Sequence, residues 1–550
     1  MHTTRGNLHL EIQTSRKSPV GLLRTTFREN GKMKHTQHGR VTGCTLDQLK
    51  ALQLAFREQV VPVGAPEAFQ ILQSREYGAS YAILTLAKQL GLPQVLYARP
   101  EPWVNDLLAM IVGRLVYAGS KLSLCNHYPN TCLWELNGVT EKPDVDAHCY
   151  RAMDTLLKRQ SAIQKKLARQ HLQSGQLVLY DITSVYFEGE YKASELVTFG
   201  YNRDRKKGFE QIVVGLICND QGCPVGVEVY AGNTKDETTV IDKIHQIKTD
   251  YGIEKIIFVG DRGMVTQTNI EALKDDDDLK TISALTHGGM MRLLEDNVIQ
   301  IDLFDEHAIH EVVDPDNPGR RYCLCRNPVT AERETQTRKR LLELTETQLQ
   351  RIANYKQKTT VEKLGARVGK VLAKYKMGKF IRWSIDTDKS QNTSRHHRLS
   401  WSIDTEKVAY ERRFDGCYII STDVEEARLN TLEVVNAYKS LTFVERAFRN
   451  LKTVQLEIRP VYHKNDDRIR CHVFLCMLAY YLQWHMEQRL APLFKADGQG
   501  NERRWTFRGV IDCLAQITRN TVSAQGVELY QNSTPTDEQQ QILDLLGVTM

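Results

Sequence analysis

The 550 residues contain no long apolar run: the longest, Val473 to Leu482, is far short of the ~20 residues that span a bilayer. No membrane partner is expected. The N-terminus passes from Met1-His2-Thr3-Thr4-Arg5 into Leu8 and Glu11 without a continuous apolar stretch, so no secretory signal is visible and a cytoplasmic location is expected. Cysteine is sparse, twelve in all, and neither Cys218 with Cys223 nor Cys323 with Cys325 has the paired spacing or nearby histidines of a zinc site. These are read as reduced core thiols. With 41% hydrophobic and 25% charged residues, the chain matches ordinary folded domains, which excludes collagen-like, coiled-coil and largely disordered classes. One domain per ~150 residues predicts three or four.

Charge is present but unevenly placed. The first 50 residues hold nine bases and three acids, an excess equal to the whole chain's +6. A basic face of this kind suits a polyanion, and it also suits a merely solvated surface. A second concentration lies at 446–470, with seven bases against Glu457, Asp466 and Asp467.

The first forty residues are broken by Gly21, Gly31 and Gly39 into short β-prone stretches. Thr45 with Gln48 then forms a capping-box pattern that opens a helix. Further helices are predicted over Tyr81 to Leu90, Trp103 to Leu115 and Asp146 to Leu172. The period then changes. Leu177 to Tyr180 is a continuous apolar run of the kind buried on both sheet faces, predicted to end at Asp181. Phe209 to Cys218 and Pro224 to Tyr230 read as strands joined by the turn Asn219-Asp220-Gln221-Gly222, and Asp236 to Tyr251 reads as a helix. Lys255 to Gly260 is a second buried strand, ending at Asp261; Thr266 to Leu273 looks helical and Lys280 to Leu285 extended.

That order of elements is the ribonuclease-H-like one, so the expected fold class is α/β: a ribonuclease-H-like core interrupted by a mixed α/β insertion, after a mostly helical N-terminal region. The expected domains are 1–172, with a basic β start followed by helices; 173–286 and 433–489, the two parts of the core; 287–432, the insertion; and 490–550, a helical C-terminal region. Within 287–432, long helices are predicted from Thr330 to Ala353 and from Thr360 to Tyr375. Trp383-Ser384-Ile385-Asp386-Thr387 and Trp401-Ser402-Ile403-Asp404-Thr405 form a short repeat, read as adjacent strands. The four acids Asp275 to Asp278 read as a solvated loop.

Two buried strands that each end in an aspartate put carboxylates at one end of a sheet, where open α/β sheets bind ligands. Carboxylates are the hard donors that Mg²⁺ or Mn²⁺ prefers, and a pair can help hold two ions. Either aspartate alone would as readily cap a following helix. A third acid, Glu445, lies on a helix predicted to begin near Leu432. At 100° per residue, Tyr438, Leu441, Glu445, Arg449 and Lys452 fall within about 80°, beside an apolar face of Ala437, Val444, Ala447, Phe448 and Leu451. The bland reading of Glu445 with Arg449 is a surface i,i+4 pair. His472, in an apolar helix, is read as a core histidine.

These residues together resemble the DDE transposases of bacterial insertion sequences, in the IS-four-like branch marked by a tyrosine, arginine, glutamate, lysine signature. Tyr180-Asp181-Ile182-Thr183-Ser184 resembles the first-aspartate strand, and Gly260-Asp261-Arg262-Gly263 the second-aspartate motif. Pro224 through Gly232-Asn233-Thr234-Lys235-Asp236 resembles the segment after the third strand. Tyr438, Glu445 and Lys452 keep the signature's two intervals of seven, while Leu441 stands where its arginine would. Arg459-Pro460-Val461-Tyr462-His463 resembles the stretch after the lysine, and the resemblance spans about 175 to 485.

The resemblance implies that Asp181, Asp261 and Glu445 bind two Mg²⁺ (or Mn²⁺) ions for DNA nicking and strand transfer. It implies DNA contacts at Tyr438 and Lys452; the contact of the signature's arginine is either missing or supplied by Arg446 or Arg449, Arg262 is a further candidate, residues 1–172 would bind the transposon ends and residues 490–550 would join two copies. The implied partners are terminal inverted repeats, target DNA and a second copy of the chain. The residues leave three rivals open: a structure-specific nuclease of the same fold, a non-catalytic DNA-binding protein, and a haloacid-dehalogenase-type phosphatase with Asp181 as nucleophile. Thr183 stands where that last family needs a second aspartate.

Overall fold

The computed structural model describes residues 8–14, 18–29, 32–58, 69–204, 206, 208–262, 264–265, 269, 278–304, 309–315, 319–355, 359–387, 397–454, 456, 458–496, 505–524 and 527–550. The chain divides into two compact units. One comprises Met1–Ile163, Phe187–Val197 and Arg449–Met550; the other comprises Gln164–Tyr186 and Thr198–Phe448.

The second unit is built on an eight-stranded sheet. Its strands are β1 (Leu177–Tyr186), β2 (Gln211–Asn219), β3 (Pro224–Ala231), β4 (Ile256–Gly260), β5 (Leu279–Ala284), β6 (His310–Val313), β7 (Arg321–Arg326) and β8 (Cys417–Thr422). They lie in the order β6-β7-β8-β5-β4-β1-β2-β3, with β1, β4 and β5 parallel and every other neighbouring pair antiparallel. All nine residues of β2 and all five of β4 are buried; β4 is accordingly apolar throughout, and β2 is apolar from Ile212 to Cys218 between the buried polar Gln211 and Asn219. The expected turn joins β2 to β3: the Asn219 carboxamide oxygen accepts the N–H groups of Gln221 (3.1 Å) and Cys223 (2.8 Å), and Gly222 takes φ 85°.

Asp181 does not end its strand. β4 stops at Gly260, the partner of Tyr180, but β1 keeps β2 as its other neighbour and stays paired from Asp181 opposite Leu216 to Tyr186 opposite Gln211. The expected Thr266 to Leu273 helix and Asp275 to Asp277 lie outside the described residues, Asn269 apart; Asp278 is exposed.

The stretch 287–432 is only partly outside the sheet, because β6, β7 and β8 extend the sheet beyond β5. The excursion proper runs between β7 and β8. Helices Pro328–Ala353 and Val361–Tyr375, the hairpin of Ile381–Thr387 with His397–Ile403, and helix Thr405–Arg412 share an apolar core that includes Leu342, Leu349, Leu364, Val368, Phe380 and Leu399. The two copies of the short repeat pair as expected, Trp383 opposite Trp401, but Asp404 and Thr405 of the second copy open the next helix.

In the first unit, Leu8–Gln13, Val20–Glu29 and Lys32–Val41 are extended as expected and pair as an antiparallel sheet, but Gly21 and Gly39, read as breaks, lie inside the second and third of these strands. Helix Leu46–Glu58 follows through the reciprocal bonds of Thr45 and Gln48, 2.8 and 3.3 Å. The helix expected over Asp146 to Leu172 is instead three pieces, a π-helical turn Val145–Tyr150 and helices Arg151–Lys158 and Gln160–His171, broken at Arg159. Residues 490–550 are not wholly helical: Thr518–Ala524 and Val527–Asn532 form a hairpin that takes Phe69–Glu76 as its third strand. His472 is a core residue, its Nδ1 2.6 Å from Lys121 Nζ and its Nε2 3.1 Å from the Ile458 carbonyl oxygen. All twelve cysteines are free and nine are buried. No helix of the described residues is long and apolar enough to cross a membrane.

Candidate functional site

Register brings the two aspartates together. β1 and β4 run parallel with Tyr180 level with Gly260, so Asp181 and Asp261 are the next residues of two neighbouring chains. Where β4 ends, Asp261 turns away, its carbonyl oxygen accepting the Met264 N–H and the Ser283 hydroxyl, both at 3.1 Å. Asp181 is half-buried and Asp261 exposed. One Asp181 carboxylate oxygen accepts the N–H of Ile182 at 2.7 Å. Burial, then the neighbouring Asp261 carboxylate, pushes Asp181 up to about 7. Glu445 adds to that rise, whereas the Ile182 N–H and the Arg203 guanidinium oppose it.

Glu445 and Tyr438 come from two short helices, Thr431–Lys439 and Leu441–Arg449, rather than from one. The first opens with a capping box between Asn430 and Glu433. The boundary falls at Ser440, where the hydroxyl groups of Ser440 and Thr442 donate to the carbonyl oxygens of Asn436 (3.0 Å) and Lys439 (2.8 Å). After Arg449 the chain passes into a π-helical turn, Asn450–Val454. The predicted arc of five residues therefore does not persist. Leu441, placed on that arc, is instead buried, as are Ala437, Val444, Ala447, Phe448 and Leu451 of the predicted apolar face.

Tyr438 nevertheless faces the aspartates: its hydroxyl donates to Asp261 Oδ1 at 3.3 Å. Burial, followed by the Asp261 and Glu445 charges, raises the phenol well above its ordinary range, against the pull of Arg262. Glu445 is exposed, yet its charge acts on both Asp181 and Tyr438. Three carboxylates from β1, the end of β4 and a helix thus share one electrostatic neighbourhood.

Arg262 and Arg446 are exposed in the same unit. Arg449, exposed, and Lys452, buried, belong to the other unit.

Sequence reasoning missed Arg203. Its guanidinium donates to Ser184 Oγ at 3.1 Å and lowers the pKa of Asp181. The loop that carries it is pinned by the buried Gln211, whose carboxamide donates to the carbonyl oxygens of Tyr201 (3.0 Å) and Gly232 (2.8 Å) and accepts from Asn202 (2.9 Å). Gly200 and Gly232 pass so close there that a Cβ on either would collide with backbone oxygen. The available signal was the run Arg203-Asp204-Arg205-Lys206-Lys207, four cations within five residues.

A family model described as transposase DDE domain matches residues 172–482, more than half of the chain. No curated protein matches the chain significantly.

Proposed function

The chain belongs to the DDE transposase family, and from that premise we propose that it is an IS-four-like, cut-and-paste transposase that binds transposon ends, cleaves their strands and joins them to target DNA. What supports this reading is the shared electrostatic neighbourhood of Asp181, Asp261 and Glu445, in which burial, then the Asp261 and Glu445 charges, push Asp181 up to about 7. The order β3-β2-β1-β4-β5, three antiparallel strands followed by two parallel ones, supports a ribonuclease-H-like core.

The donor set fits two Mg²⁺ or Mn²⁺ ions, since its members are hard carboxylate oxygens whose mutual repulsion a divalent cation offsets. Bound there, the ions supply activation of the attacking oxygen and stabilisation of the leaving 3′ oxygen. Asp181, Asp261 and Glu445 hold them. Tyr438 fixes the Asp261 carboxylate by donating its proton to Oδ1. Arg203 beside Asp181 and Arg262 beside Asp261 attract the phosphate backbone from two directions. Lys452 keeps the signature spacing, and either Arg446 or Arg449 takes the DNA contact that Leu441 cannot make. Residues 1–172 recognise terminal inverted repeats through the basic sheet, and residues 490–550 join two copies so that both ends are paired.

The test replaces one acid. Glu445→Ala should abolish nicking of transposon-end DNA with Mg²⁺ while leaving end binding nearly intact; unimpaired nicking would reject the assignment.

A further inference from the structure

The excursion between β7 and β8 carries a charge that the catalytic reading leaves unused. Residues 327–416 hold 20 bases and 11 acids, an excess of nine against +6 for the whole chain. The densest part is 356–376, with seven cations and the single acid Glu362.

Helix Val361–Tyr375 arranges these cations. Leu364 and Val368 enter the excursion's apolar core, which turns Ala366, Gly369 and Ala373 directly outward and leaves the cation row along one side of them. At 100° per residue, Lys363, Arg367, Lys370 and Lys374 fall within an arc of about 60° and rise about 16 Å from first to last. Lys363, Lys370 and Lys374 are exposed, and Arg367 is held over the Tyr355 ring at 4.1 Å from its centroid. Along one flank of the row lie Ala366, Gly369 and Ala373, and a Cβ added at Gly369 would meet nothing within 4 Å. A rod-shaped partner can therefore approach that flank closely.

The row also points somewhere. Directly after the helix, Lys376 and Lys379 line a cleft of about 490 Å³ together with Arg262 and Arg333 and with the acids Glu334, Glu411 and Asp415; Glu411 pairs with Lys379, and Arg262 adjoins Asp261. Arg262, Arg333 and Lys376 thus lie between the neighbourhood of the carboxylates and the helix. DNA carries a phosphate every ~3.4 Å of axis on each strand, so four cations over about 16 Å can each meet a different phosphate. The face offers a straight row of cations spaced for successive phosphates and no asparagine or glutamine to read adenine.

We propose that this face of the Val361–Tyr375 helix is a rail for the DNA backbone, holding the duplex beyond the catalytic carboxylates through Lys363, Arg367, Lys370 and Lys374 without reading its sequence. The identity of the polyanion as DNA rests on the transposase reading of the carboxylate site.

The experiment uses the full chain carrying K363Q, R367Q, K370Q and K374Q. Binding to a transposon-end duplex and to an unrelated duplex is followed by fluorescence anisotropy between 50 and 300 mM NaCl. The slope of log affinity against log salt should fall by ~0.9 per lost phosphate contact, about 3.6 for four, equally for both duplexes. Nicking of a short end duplex at saturating enzyme should keep its kcat. If losing the Arg367 stack to Tyr355 unfolds the helix, the K363Q/K370Q/K374Q variant decides, with an expected fall of about 2.7. An unchanged slope, or a loss confined to one sequence, overturns the rail. So does equal binding of poly-glutamate and duplex by the wild-type face, which would make the partner an acidic protein. A reduced slope in a chain that never cleaves DNA would sink the transposase reading and leave the rail standing.

Discussion

Replacing Asp181 by asparagine should stabilise the metal-free protein, the reverse of what most substitutions at a half-buried polar site do. Its carboxyl is pushed from 3.8 up to about 7, roughly three units, first by burial and then by Asp261. At 1.36 kcal/mol per unit, the ionised site stores about 4 kcal/mol of unfavourable charge energy. Solvent reaches part of this half-buried side chain, so about 2 kcal/mol is a fair expectation. The D181N carboxamide would keep an oxygen to accept the Ile182 N–H, so charge is what changes.

Linkage sets the sign in pH. A carboxyl whose folded pKa is raised costs nothing below its unfolded value of 3.8, and its penalty grows as pH rises from there to about 7. In EDTA at pH 7.5 the D181N variant should melt about 3–4 °C above wild type, at ~1.7 °C per kcal/mol for a unit of this size; near pH 4 the gap should close. Added Mg²⁺ should raise the melting point of wild type more than that of the variant. An equal or lower melting point for the variant in EDTA at pH 7.5 would refute the reasoning, because the carboxylates would then not repel one another.

Tyr438→Phe removes the hydroxyl that orients Asp261. Stability should change by less than about 1 kcal/mol because Asp261 is exposed, while nicking should fall about 10-fold or more; unchanged nicking would show that the phenol plays no orienting part. In the other unit, burial first and then the cations Lys121, Arg468 and Arg114 push His463 down to about 3, and burial with Lys121 and Arg114 holds His472 well below its ordinary value. The stability tied to their neutral forms is therefore complete above pH 6.5 and is lost as pH falls towards 3, by up to about 1.4 kcal/mol per pH unit for each histidine. Urea midpoints should be lower at pH 5 than at pH 7, and equal midpoints would contradict the assignment.

Much of the second unit was legible because burial on both sheet faces leaves a plain mark. Leu177 to Tyr180 and Ile256 to Gly260 are apolar without interruption, and the aspartate that follows each is the first polar residue past the point where β1 and β4 stop pairing. The reach of β1 beyond Asp181 was not legible, since pairing to β2 rather than apolar sequence carries Thr183 and Ser184. The helical wheel failed at Ser440, where hydroxyl groups bond backbone carbonyls and a purely periodic reading cannot see the break. The hairpin of Thr518–Ala524 with Val527–Asn532 escaped because its strands are polar, and its third strand leaves Ile71 and Leu72 exposed. The wide spacing of β6, β7 and β8 hid their membership in the main sheet, because 90 residues of excursion separate β7 from β8. Arg203 reached the site through tertiary bonds from Gln211 and Ser184, which no local pattern announces.

The most direct test incubates the purified chain with its own flanking DNA and Mn²⁺ and maps the products at nucleotide resolution. Strand breaks at the element's termini, with the freed 3′ ends joined to target DNA and every product lost on neutralising Asp181, Asp261 or Glu445 singly, are the predicted result. Cleavage that survives all three neutralisations, or that ignores the termini, would contradict the account.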